Sequence, residues 1–170
     1  MTKEERQILI NQYLIMKHLN IDDLGDQKDL DVKIDILMNG WSWLYDDEIL
    51  NVSNDCDESI QKEVVDILSM YRSIYSSKEN FTEDELKSLP NSHFLTFQGF
   101  DGNEESYHYH FMNFYINKYG RFEEITAINS HRNVLDQYRT MLEKYEIINK
   151  TKTLITGFDL TLDELKEILD

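Results

Sequence analysis

His108 and His110 are the residues whose type and proximity first suggest chemistry, since imidazole pairs are common metal ligands. Their spacing argues against it: on a helix, residues two apart point away from each other. The zinc-protease arrangement needs histidines four apart with a glutamate beside the first. Glu104 and His108 are four apart, which makes at most a helix pair or half a site. The run Asp101-Gly102-Asn103-Glu104-Glu105 has the composition of a calcium loop but carries Ser106 where the EF-hand requires glycine. Asp101 fits better as a helix cap. Asp55, Asp57 and Glu58 fit a helix N-terminus in the same way, because negative charge is favoured there. Cys56 has no neighbouring histidine and reads as a structural or surface thiol. Ser130-His131 is adjacent in sequence, whereas a catalytic triad is assembled in space, so a helix cap at Ser130 is the simpler account. There is no glycine-rich phosphate loop and no Gly-x-Ser-x-Gly elbow. No catalytic residue, metal site or cofactor is therefore assigned.

The elements that would position any site read as helices. The first spans about residues 3–19, opened by the capping pair Thr2 and Glu5, with Ile8, Leu9, Tyr13, Met16 and Leu19 as its expected buried face. An Asp-rich loop (Asp22, Asp23, Asp26) leads to a second helix over about 28–39, buried through Leu30, Ile34, Leu37 and Met38 and stopped by Gly40. Trp41 and Trp43 follow in a short connector. Burial beside Gly40 is the favoured reading of both; exposure would mark an interface. The third helix, about 58–77, has the longest apolar stripe, through Ile60, Val64, Ile67, Leu68, Tyr71, Ile74 and Tyr75. Thr82 and Glu85 open a short helix that Pro90 ends. The segment 94–98 is the best candidate for an extended stretch. A fifth helix, about 103–119, is apolar around more than one face (Tyr107, Tyr109, Phe111, Met112, Phe114, Tyr115, Ile116), as expected of a helix central in the domain or shared between subunits. Asp101 and Arg121 flank it with the signs that complement its dipole. A sixth helix over about 130–148 and a seventh over 162–169, opened by Thr161 and Glu164, complete the order.

The chain has 170 residues and one proline, with 33 acidic against 17 basic side chains and a formal net charge of −16. This length implies one domain that buries roughly 70% of its unfolded surface. The charge opposes binding to nucleic-acid phosphates and to anionic membranes, and leaves a basic protein as a possible partner. No apolar run approaches a membrane span, the N-terminus lacks a signal-peptide pattern, and one cysteine excludes an internal disulfide. The expected compartment is the cytoplasm.

Five strings carry a resemblance. They are Ile10-Asn11-Gln12-Tyr13, Val65-Asp66-Ile67-Leu68-Ser69-Met70-Tyr71, Phe97-Gln98-Gly99-Phe100-Asp101, Asn117-Lys118-Tyr119-Gly120-Arg121-Phe122 and Tyr138-Arg139-Thr140-Met141-Leu142. In order and spacing, over about residues 8–169, the chain resembles the YfbU-like family of small bacterial proteins of unknown function. The fit is loose over 41–56 and 125–129. The resemblance implies a compact, mainly helical domain and transfers no activity, cofactor or catalytic residue.

The expected fold is all-α, a single compact domain of about six to seven helices with at most a short extended segment at 94–98. The leading functional expectation is a non-catalytic interaction or regulatory module acting as a homodimer. The first alternative is a small-molecule enzyme or binding protein, with a pocket beside the fifth helix lined by Tyr107, Tyr115 and Arg121. The second is an acidic nucleic-acid mimic. Trp41, Trp43, Asp101, Tyr107, Tyr115 and Arg121 are the candidate ligand or interface residues.

Overall fold

The computed structural model describes residues 1–21, 27–50, 55–152 and 159–170. The Asp-rich loop at Asp22, Asp23 and Asp26 lies outside them. The fold is all-α. Seven α-helices occur among the described residues: α1 (Lys3–His18), α2 (Gln27–Asn39), α3 (Glu58–Lys78), α4 (Glu83–Lys87), α5 (Ser106–Asn117), α6 (Leu135–Thr151) and α7 (Leu162–Leu169). The packing groups them into two units, Met1–Asp55 and Cys56–Asp170. No helix among the described residues is long and apolar enough to cross a membrane.

In the first unit α1 packs on α2. The core is Ile10 and Tyr13 from α1, Leu30, Ile34, Ile36 and Leu37 from α2, and Tyr45 and Ile49 from the turns that follow. The expected buried face of α1 is only partly right. Tyr13, Leu9 and Met16 pack inward, but Ile8 and Leu19 are exposed and Ile10 is buried in their place. α1 carries two apolar stripes, and Ile8, Ile15 and Leu19 lie at helical spacing on the stripe left outside. On α2, Met38 is likewise exposed while Ile36 is buried. Gly40 ends α2 as expected, with φ +71°, and a Cβ there would collide with the Arg6 guanidinium. That guanidinium donates from Nη1 to the Leu37 carbonyl in the last turn of α2 (3.1 Å).

In the second unit α3 is the central helix and contacts both α5 and α6, while α7 packs on α6. Asp57 caps α3 by accepting from the Ser59 N–H (2.8 Å). Seven α3 side chains are buried, from Val64 to Ser77, against three on α5. The fifth helix is thus not central: of its apolar excess Tyr107 and Phe114 are exposed, while Tyr109, Phe111 and Tyr115 are half-buried against the core. Around α3 the rings of Tyr71, Phe97, Phe100 and Tyr138 meet edge-on or stacked at centroid distances of 5.0 to 5.7 Å. These are favourable arrangements for opposed ring quadrupoles.

The segment 94–98 does not form a strand. Phe94 and Leu95 close a 3₁₀ turn (Ser92–Leu95), and extended backbone begins only at Thr96. The one β-bridge among the described residues is Phe100 with Asn129. It depends on Gly99, whose φ is +81° and whose position would drive any Cβ into the Ile128 carbonyl.

Candidate functional site

The turn before α5 is built on two buried carboxylates. Asp101 accepts from the backbone N–H of Asn103 (2.7 Å) and Glu104 (3.3 Å), so it caps the turn that precedes the helix. α5 itself starts at Ser106, three residues later than the sequence suggested. Glu105 accepts three backbone N–H bonds. Asp101 donates to Oε2 (2.7 Å), while Val134 (2.8 Å) and Leu135 (2.7 Å) both donate to Oε1. Glu105 is 3% exposed and caps α6 from across the fold. Ser130, expected to start α6, instead donates its hydroxyl to the Arg132 carbonyl (2.5 Å), and the helix begins at Leu135.

A second charged cluster joins α3, α5 and α6. Arg139 donates to Glu63 from Nε (2.7 Å) and Nη2 (3.0 Å), and the buried His108 meets Glu63 Oε2 through Nε2 (2.8 Å). The Arg139 bonds hold the Glu63 carboxyl below its ordinary pKa; burial opposes them and the His108 bond reinforces them. His108 therefore pairs with Glu63, not with Glu104. His110 is exposed on the other side of the helix. Among the described residues no three His, Cys, Asp or Glu side chains converge as metal ligands. Among the described residues the Cys56 thiol's hydrogen-bond partner is the Asp57 carbonyl (3.8 Å).

The outward face of α5 is aromatic. Tyr107 (62% exposed) and Phe114 (46%) project from the helix, and Tyr119 stands just beyond its end. Phe111, Tyr115 and Tyr119 stack in sequence at 5.3 and 5.4 Å, and Phe114 stacks on Tyr119 at 6.1 Å. The Arg121 backbone N–H closes the chain onto the Tyr115 carbonyl (3.0 Å), and its guanidinium lies 5.9 Å from the Tyr119 ring centre. No Asp or Glu occurs from residue 106 to 122, although the whole chain carries 33.

Of the expected site residues, Tyr115 and Arg121 thus come together around Tyr119. Tyr107 shares the outer face toward the other end of the helix. Asp101 is buried and occupied with the backbone. None of the four lines the large cleft of the second unit. Trp41 and Trp43 belong to the first unit and are 53% and 85% exposed, against the expectation that they close its core. Trp41 precedes and Trp43 lies in the short 3₁₀ turn Ser42–Leu44, which holds no buried residue. Glu63, Glu105 and Arg139 were not legible in the sequence. Their cross-fold partners lie 29 to 76 residues away, and only Asp101 on Glu105 and Asp136 on Arg139 (3.7 Å) are local among the described partners.

The fold and these clusters define a helical protein in which Asp101 and Glu105 are buried against backbone N–H groups and α5 exposes aromatic rings. The YfbU domain matches residues 1–170, and the chain belongs to the YfbU family. It is similar to the UPF0304 protein MJECS11 of Methanocaldococcus jannaschii, with 32% identity covering all of this chain and 99% of the relative. It is also similar to the UPF0304 protein PM1500 of Pasteurella multocida, with 26% identity covering all of this chain and 98% of the relative. Both relatives match at full length, so the family spans both helical units.

Proposed function

We propose that this protein is a non-catalytic, cytoplasmic interaction module that acts as a homodimer through the outward face of α5. The observation that carries this reading is the carboxylate-free aromatic face between Tyr107 and Tyr119 in a chain of net charge −16. Interface cores are enriched in aromatic residues and depleted in charge, because an unpaired carboxylate is costly to desolvate. A second copy is the favoured occupant because the face is self-complementary in charge. Its N-terminal end carries the exposed Glu104 and its C-terminal end carries Lys118 and Arg121. An antiparallel two-fold pairing sets each basic end against the acidic end of the other copy.

Sedimentation velocity on the intact protein and on Phe114→Glu tests this. The expected result is a dimer that becomes a monomer in the variant, with unchanged helical circular dichroism because Phe114 is half exposed. A wild-type protein that stays monomeric across the accessible concentration range removes the proposal.

A further inference from the structure

The second unit holds an open cleft of about 930 Å³ between the last turns of α3, the start of α4, Thr96 and Glu124. This volume is typical of sites for small organic ligands. Tyr75, Phe81 and Leu86 form its apolar wall. Three of its five charged side chains are paired, and Glu79 at the rim has no cation within ion-pair distance among the described residues. Arg72 donates to Glu124 (2.5 Å) and lies 4.1 Å over the Phe122 ring, and Glu83 is held by Lys87 (2.8 Å). Lys78 differs. Its ammonium donates to the Leu95 carbonyl (3.2 Å) and sits 5.2 Å from the Tyr75 ring centre, with no carboxylate within ion-pair distance among the described residues. An ammonium has three donors, so this one retains capacity for a ligand. Partial burial lowers the Lys78 pKa, as expected for a cation held off water without a counter-charge.

We propose that this cleft binds a small monocarboxylate with an apolar, planar or branched body, its carboxylate on Lys78 and its body against Tyr75, Phe81 and Leu86. A single negative charge matches Lys78, which of the two cations lining the cleft is the one without a carboxylate within ion-pair distance among the described residues. A dianionic phosphate fits worse, because Glu79, Glu83 and Glu124 also line the cleft and oppose a second charge. A neutral ligand of the same shape leaves the ammonium without an anion.

The test is an NMR titration of the full chain with phenylacetate as the probe, with 2-phenylethanol and phenyl phosphate as controls. The expected result is a saturable shift of the Tyr75, Lys78 and Thr96 resonances with phenylacetate, and at least tenfold weaker binding of both controls. Lys78→Met weakens phenylacetate binding at least tenfold, and Lys78→Arg, which keeps the cation, retains it. Equal binding to wild type and Lys78→Met overturns the proposal, as does a shift pattern outside the cleft or the absence of saturable shifts. If Lys78→Met does not fold, the three-ligand comparison on the wild-type protein decides: equal binding of the alcohol or the phosphate overturns it.

Discussion

Tyr71 and Tyr138 touch ring to ring in the core of the second unit, yet their hydroxyls fare differently. The Tyr138 hydroxyl accepts from the Gln98 N–H (2.9 Å) and donates to the Gly99 carbonyl (3.1 Å), which ties the glycine turn to α6. The Tyr71 hydroxyl lies against the Tyr138 ring and is buried without a hydrogen bond of acceptable geometry among the described residues. Burial raises the pKa of both phenols, so both stay protonated through the neutral range. Removing each oxygen therefore acts in opposite directions. Tyr71→Phe relieves an unsatisfied group and is expected to stabilise the protein by about 1 kcal/mol, while Tyr138→Phe strands two backbone groups and costs about 1–3 kcal/mol. Urea midpoints of the two variants check this, and a destabilised Tyr71→Phe would mean that the hydroxyl has a partner in solution. Glu63 gives a prediction in pH. Its folded pKa is lowered from 4.5 mainly by the Arg139 hydrogen bonds. The stabilisation is complete above the unfolded value and is lost as pH falls through the folded one. Glu63→Gln should thus be less stable than wild type near neutrality and show a shallower loss on acidification below the unfolded carboxylate pKa. Parallel acid slopes for the two proteins would sink the assignment.

At the scale of elements, the start of α6 depends on a residue thirty positions away. The N-cap residue Val134 makes no side-chain cap. Glu105 supplies the cap by accepting from Val134 and Leu135, and the same carboxylate takes the Asp101 N–H at the other side of the turn. Glu105→Ala leaves three buried N–H groups without their charged acceptor, and a loss of about 2–4 kcal/mol is expected, with amide exchange accelerated first at Val134 and Leu135. A loss smaller than about 0.5 kcal/mol, the range of ordinary surface substitutions, would show that water replaces the cap. This dependence also explains what the sequence revealed about the elements and what it did not. The capping boxes at Thr2, Thr82 and Thr161 formed as read, because each joins residues three apart and needs no tertiary partner. Gly40 was legible for the same local reason. The start of α6 was not, because its cap comes from another part of the chain. The run at 94–98 looked extended through its aromatic residues, but Phe94 and Leu95 are buried consecutively, as a 3₁₀ turn permits and a one-faced strand does not. α1 offered two apolar stripes, and only the position of α2 selects the one through Ile10 and Tyr13. The aromatic excess of α5 was visible in the sequence, but that Tyr107 and Phe114 are the rings left outside follows from α3 occupying the centre.

For the whole molecule, the division into two units sets how the protein should open. The described core of the second unit comprises 24 buried apolar residues around α3, and that of the first comprises eight. The first unit also leaves Ile8, Ile15, Leu19, Met38 and Trp43 more than half exposed, so apolar surface that could stabilise it stays in water. Small units bury a smaller fraction of their surface and are correspondingly marginal. Opening of α1 and α2 should therefore occur without unfolding α3 and α6, as a separate cooperative step. Native-state hydrogen exchange measures this directly. The amides of Ile10, Ile34 and Leu37 should exchange through an opening at least about 1 kcal/mol easier than that of Leu68, Tyr71 and Tyr138, with its own denaturant dependence. Added urea should merge the two classes only near global unfolding. If the Ile10 and Leu37 amides instead share the free energy and urea slope of Leu68 and Tyr138, the two units open as one.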